Sequence, residues 1–183
     1  MKKEYQVYNE RTAPKKSQSV LTQTEGIYGF IPNVIGQIAE APTALRGLIN
    51  HLGLLSDSSL TIPEQQIVLL EVASQCNADY CLAANATVAM MQGVSPTIIE
   101  DFRKGNILMD SKLEALRIFT KEMVQNRGLV SESIKEHFFK AGFTKENMFD
   151  VILGISLETL ASYSAINANT PVDSQFQENA ITV

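Results

Sequence analysis

The chain has 183 residues, 45% hydrophobic and 19% charged, which suits one domain with a substantial core and rules out a largely disordered chain. Its net charge of −5 argues against a nucleic-acid partner, which would call for a basic stripe; Lys2, Lys3, Lys15 and Lys16 form two short pairs of the kind found on a solvated arm. No apolar run nears the ~18 residues of a membrane span, and MKKEYQVYNERTAPKK lacks a secretory apolar stretch, so the expectations are a cytoplasmic protein with no membrane contact.

Residues 1–25 are polar, with scattered Thr, Ser and Lys, and read as an extended N-terminal arm ahead of one domain over 26–183. In GFIPNVIGQIAE, Pro32-Asn33 opens a short helix. Pro42 then starts a helix with Leu45, Leu48, Ile49 and Leu52 at helical spacing, ending near Leu55. After the SDSSLTIP loop, Pro63 begins EQQIVLLEVASQ. Asn77 is an expected N-cap, with Asp79 in the first turn of a helix that runs to Gly93. Ser95-Pro96 opens a short helix to Gly105, and Asp110 or Ser111 opens the next, with Gly128 as its C-cap. Ser131 begins another helix to Gly142. Thr144 begins the last and longest, closed by Thr170-Pro171. No segment alternates with period two between hairpin turns, so the fold class is all-α. The last helix is apolar nearly all round, which makes it either central or covered by another subunit.

Both cysteines, Cys76 and Cys81, fall in ASQCNADYCLAAN. Two cysteines are too few for a disulfide scaffold, and with His51 and His137 they make a poor metal set, so no metal or other cofactor is expected. In one continuous helix their Cα atoms would lie ~8–9 Å apart, beyond the ~7 Å reach of a disulfide. If Asn77 caps a new helix, however, Cys76 becomes N′ and Cys81 N4, the positions a hydrophobic staple brings together. The residues leave three readings open: two small buried side chains at a helix junction, a working dithiol, or a single reactive Cys81.

GFIPNVIGQIAEAPTALRGL, SSLTIPEQQIVLLEVASQCNADYCLAAN and the late TPVD, in that order from about residue 12 to 176, resemble the carboxymuconolactone decarboxylase-like family, and within it the alkylhydroperoxidase D type with an extended N-terminal arm. The resemblance implies an all-helical subunit that assembles into trimers or hexamers. Its peroxidase branch carries a Glu, eleven residues, Cys-x-x-Cys, three residues and a His, acting as a proton relay to a thiol at a helix start. Tyr80-Cys81 matches the second cysteine; the Glu, the first cysteine and the His fall on Gln66, Ala78 and Asn85, so that mechanism cannot run here unchanged. An Asn-His pair of the last helix falls on Ala165-Ile166, while Tyr163 is kept.

The expected site is therefore Cys81 with Cys76 as resolving thiol, with Tyr80 and Tyr163 offering hydroxyls to a pocket. Glu71 and Glu158 each interrupt an apolar helix face, where a carboxylate is costly unless paired or protonated. Either can serve as a replacement proton-transfer group. Glu71, one turn from Gln75 and less than two from Cys76, is the better placed along the chain. Three functions stand side by side: an antioxidant thiol protein using a thiol reductant, a catalytically silent paralogue that binds a small ligand or a partner, and a cofactor-free lyase or decarboxylase.

Overall fold

The computed structural model describes residues 5–180, and Lys2 and Lys3 of the expected arm lie outside it. Among the described residues there are nine α-helices and no strand: α1 (Lys15–Tyr28), α2 (Asn33–Ile38), α3 (Pro42–Ser56), α4 (Ile62–Gln75), α5 (Asp79–Met91), α6 (Pro96–Lys104), α7 (Ser111–Gln125), α8 (Glu132–Lys140) and α9 (Lys145–Ala168). A short 3-10 turn, Ser174–Asn179, follows.

The axis of the fold is α4. Its ten consecutive residues from Glu64 to Ala73 are buried, because helices pack on every side of it. One face, with Leu69, Leu70 and Ala73, enters a core shared with α2, α3, α5 and Phe176. The opposite face, with Ile67, Val68 and Val72, enters a second core built from α7 and α8, where Phe138 stacks between Phe119 and Phe143. A capping box fixes where α4 begins: Thr61 and Glu64 satisfy each other's backbone N–H groups.

Helix α9 lies across α4, and Gly154 sets the spacing. A Cβ there would stand 2.8 Å from Val68 Cγ1, so only glycine lets the two backbones approach this closely. α9 buries Val151, Leu157, Glu158, Ser162 and Ala165 but exposes Phe149, Ile152, Tyr163 and Ile166. Central position thus belongs to α4, while α9 keeps an uncovered apolar flank. α9 is also the one described helix with the length and composition of a membrane span; in this fold it packs against α3, α4 and α5.

The expected extended arm is corrected. Lys15–Tyr28 forms a helix that buries Ser17, Leu21 and Thr24, and the Ser17 hydroxyl donates to Ala39 O at 2.7 Å. The segment before it docks on α2 through Tyr8 N to Gly36 O at 3.1 Å. The polar composition hid a narrow buried stripe, since a helix that covers only one edge of a core needs few apolar residues.

Candidate functional site

The α4–α5 junction places both sulfurs. Asn77 has φ 53°, the left-handed conformation that asparagine tolerates better than most residues. Ala78 N bonds Ala73 O and Asn77 N bonds Ser74 O, each at 3.0 Å. This is the Schellman pattern of a helix C-terminus. Asn77 therefore ends α4 rather than capping α5, which corrects the sequence expectation. Cys76 is the C-cap of α4, the buried Ala78 takes the N-cap position of α5, and Cys81 sits in the first turn of α5. The chain does break between the two cysteines, one residue later than the sequence implied, and both thiols are free.

Glu158 of α9 meets this junction. It is only 3% exposed, and burial raises its pKa to about 7, opposed by polar hydrogens of Asn85, Cys81 and Ser162 that favour the charged form. The Ser162 hydroxyl donates to Glu158 Oε1 at 3.0 Å; Asn85 Nδ2 faces the carboxylate without closing a well-formed hydrogen bond. Burial likewise pushes the Cys81 thiol well above the ordinary cysteine range, with the Glu158 charge adding to it and the Ser162 hydroxyl opposing it. Cys76 is raised in the same way, first by burial and then by Glu158. The four groups form one cluster: two thiols, a carboxyl group and a hydroxyl.

Beside the cluster is a cavity of about 260 Å³. Cys81 and Glu158 line it, while the half-buried Cys76 does not. Leu48, Leu52, Leu69, Val88 and Phe176 make its wall largely apolar. Gln66 and Asn85, the positions where the resemblance expects an acid and a base, line it too. Gln66 Nε2 donates to Gln92 Oε1 at 2.9 Å, while Gln66 Oε1 is buried without a partner among the described residues.

The C-terminal segment closes one side. Asp173 accepts from Tyr80 Oη at 2.7 Å and from Asn33 N at 3.1 Å, which puts a carboxylate at the start of α2 and fixes Tyr80 at the cavity wall. Burial and this carboxylate both raise the Tyr80 pKa, so its hydroxyl stays protonated. Phe176, held just beyond, packs edge-on against Tyr80 and Phe30 at centroid distances of 6.1 and 5.6 Å.

Cys81, Cys76, Tyr80, Gln66 and Asn85 thus come together as the sequence arranged them. Two expected residues do not. Tyr163 is 59% exposed on the outer flank of α9 and lies outside the cavity, because it follows the buried Ser162 by one residue and so turns about 100° away from the contact face. Glu71 is buried but accepts from Gln75 Nε2 at 2.7 Å and faces Arg117, Lys121 and Glu114 of α7. Proximity along the chain misled here: Glu71 points toward α7, away from the thiol cluster, and the carboxyl group at the thiols comes from α9. Ser162, Gln92 and Phe176 were not anticipated, and no local motif marks them.

By sequence, no family model and no curated protein matches the chain. Among solved structures, an alkylhydroperoxidase AhpD core, an uncharacterized peroxidase-related protein from Ralstonia eutropha JMP134, superposes with a TM-score of 0.84 at 18% identity, covering 97% of this chain and 96% of that one. The fold is that of the alkylhydroperoxidase D core. A second uncharacterized peroxidase-related protein, from Silicibacter sp. TM1040, matches with a TM-score of 0.77 at 18% identity over 89% of this chain and 87% of its own. The debrominase Bmp8, solved as a cysteine-to-alanine variant with 2,3,4-tribromopyrrole, shares this alkylhydroperoxidase D-like architecture with a TM-score of 0.74 at 11% identity, over 90% of this chain and 89% of its own. The all-α fold read from the sequence is therefore the one observed, reached with little sequence in common.

Proposed function

We propose that this protein is a thiol oxidoreductase in which Cys81 attacks a small, largely apolar hydroperoxide and Glu158 carries the proton. The observation that supports it is the apposition of a buried carboxyl group, its pKa near 7, to a helix-start thiol at the wall of an apolar cavity. As Glu158 takes the Cys81 proton, the sulfur attacks a peroxide oxygen and the O–O bond breaks. Glu158 returns the proton to the departing alkoxide, which leaves as an alcohol. Sulfur is thereby oxidised by two electrons to a sulfenic acid and the peroxide is reduced by two. The Cys76 thiol then condenses with the sulfenic acid, releasing water and forming a disulfide, and an external dithiol restores both thiols. These steps use only this chain's side chains and a thiol reductant. The aromatic ligand named with the debrominase neighbour fits the idea that such a fold accepts small planar molecules.

The test is the intact mass and peptide map of protein given one equivalent of cumene hydroperoxide. The expected product is two hydrogens lighter, with a Cys76–Cys81 bridge that dithiothreitol reverses. Two unmodified thiols would sink the redox reading and leave the silent, ligand-binding one, which the raised thiol pKa values also favour.

The apolar flank of α9, with Phe149, Ile152, Tyr163 and Ile166 exposed, supports assembly into a homo-oligomer, a trimer or hexamer by the sequence resemblance. Sedimentation should show such a species, and Phe149→Lys with Tyr163→Lys should reduce it to monomer; a monomeric wild type would rule the assembly out.

A further inference from the structure

Four buried side-chain polar atoms lack a hydrogen-bond partner among the described residues: Gln66 Oε1, Asn85 Nδ2, Arg103 Nε and Thr120 Oγ1. Two of the four belong to residues that line the same cavity. A polar atom buried unpaired loses its hydration with nothing in return, so the meeting of two at one cavity wall calls for a chemical reason.

We propose that Gln66 and Asn85 form a polar subsite that receives the head of a small, neutral, otherwise apolar ligand, a head that donates one hydrogen bond and accepts another. Gln66 is 4% exposed, and its nitrogen is committed to Gln92, so turning the amide to satisfy the oxygen would break a bond already made. The free oxygen needs a donor from the ligand. Asn85 Nδ2 faces the Glu158 carboxyl group without a well-formed bond to it, which leaves an N–H for an acceptor on the ligand. A primary amide or a hydroxyl supplies both.

The rest of the cavity defines the remainder of the molecule. Leu48, Leu52, Leu69, Val88 and Phe176 offer an apolar sleeve. Its volume of about 260 Å³ falls just below the ~300–1,000 Å³ of ordinary small-molecule sites, so the ligand is compact. Among the described residues no lysine, arginine or histidine lines the cavity, and Glu158 does. An anionic head would meet a carboxyl group and no counter-charge, which excludes it. Of the other polar residues in the lining, Gln65 has its nitrogen bonded to Leu60 O at 2.8 Å and Tyr80 Oη donates to Asp173 at 2.7 Å. The subsite stands independently of the thiol chemistry, since binding requires no redox change.

The experiment is an NMR titration of the ¹⁵N-labelled full chain, thiols reduced, with three probes of similar size: phenylacetamide, phenylacetate and propylbenzene. Phenylacetamide is expected to shift the side-chain amide signals of Gln66 and Asn85 and to bind about tenfold more tightly than either other probe, the worth of one well-made buried hydrogen bond. Gln66→Leu should bring phenylacetamide down to the propylbenzene level. Equal binding of phenylacetamide and propylbenzene, preferred binding of phenylacetate, no binding of phenylacetamide, or an unchanged Gln66→Leu variant would each overturn the subsite. If Gln66→Leu does not fold, the wild-type ranking of the three probes decides alone. Because no oxidant is present, failure here leaves the hydroperoxide reading untouched, and an inert thiol pair leaves this one untouched.

Discussion

Glu71 and Glu158 are each 3% exposed on an otherwise apolar helix, yet they occupy opposite chemical settings. Glu71 faces Gln75 and the cations Arg117 and Lys121, and beside it Arg117 is itself clamped by Glu114 at 2.7 Å. Around it the protein has built a polar seam between two helices. Glu158 faces two thiols, a hydroxyl and an asparagine, with no cation among the described residues, and its carboxyl group sits at the edge of being charged near neutral pH. Depth alone does not make a carboxyl group chemically useful; the partners at that depth do.

The contrast breaks first on stability against pH. Folding raises the Glu158 pKa from 4.5 to about 7, so the folded chain holds that proton more tightly than the unfolded one. Its contribution is most favourable below pH 4.5, declines as pH rises, and levels off above about 7. Relative to Glu158→Gln, the wild type should lose roughly 2–4 kcal/mol between pH 4.5 and 8, read from urea unfolding at each pH. Glu71 is raised too, so Glu71→Gln gives a difference of the same sign; a larger swing for Glu71 than for Glu158 would invert the comparison.

The second effect is on rate. At pH 7.5, Glu158→Gln should slow Cys81 oxidation by cumene hydroperoxide about 100-fold, and the inflection near pH 7 should vanish, as follows from losing a general base. Glu71→Gln should stay within about twofold, because its carboxyl group has no path to either thiol. Stopped-flow thiol kinetics separate the two, and equal losses would remove the special role of Glu158.

A third buried carboxylate sharpens the point. Asp173 has donors on two sides, Tyr80 and the α2 backbone, so it acts as a fastening. Asp173→Asn should cost about 1–2 kcal/mol in thermal or urea unfolding while leaving the pH 7 inflection in place. Loss of that inflection would mean the fastening also governs the thiol.

Much of the helical framework was legible because its punctuation is local: Pro42, Ser95-Pro96, Asp110, Ser131 and Thr144 all mark helix starts where they were read. Helix α1 was not, since one-sided packing needs few apolar residues. The junction at Asn77 was half legible, because asparagine suits both an N-cap and a left-handed C-terminus, and only the bonds to Ala73 and Ser74 distinguish them. The site was legible where its residues cluster in sequence, at Gln66, Cys76, Tyr80, Cys81 and Asn85. It was illegible where contact depends on how α9 lies over α4, which sets Glu158 inside and Tyr163 outside.

That geometry turns on a single missing methyl group. Gly154 and Glu158 are one helical turn apart on the same face of α9. The close seat of Gly154 on Val68 therefore also fixes how far the carboxyl group reaches toward Cys81. A Cβ at residue 154 would wedge the helices apart at a residue that does not itself line the cavity, making this position a tuning screw for proton transfer.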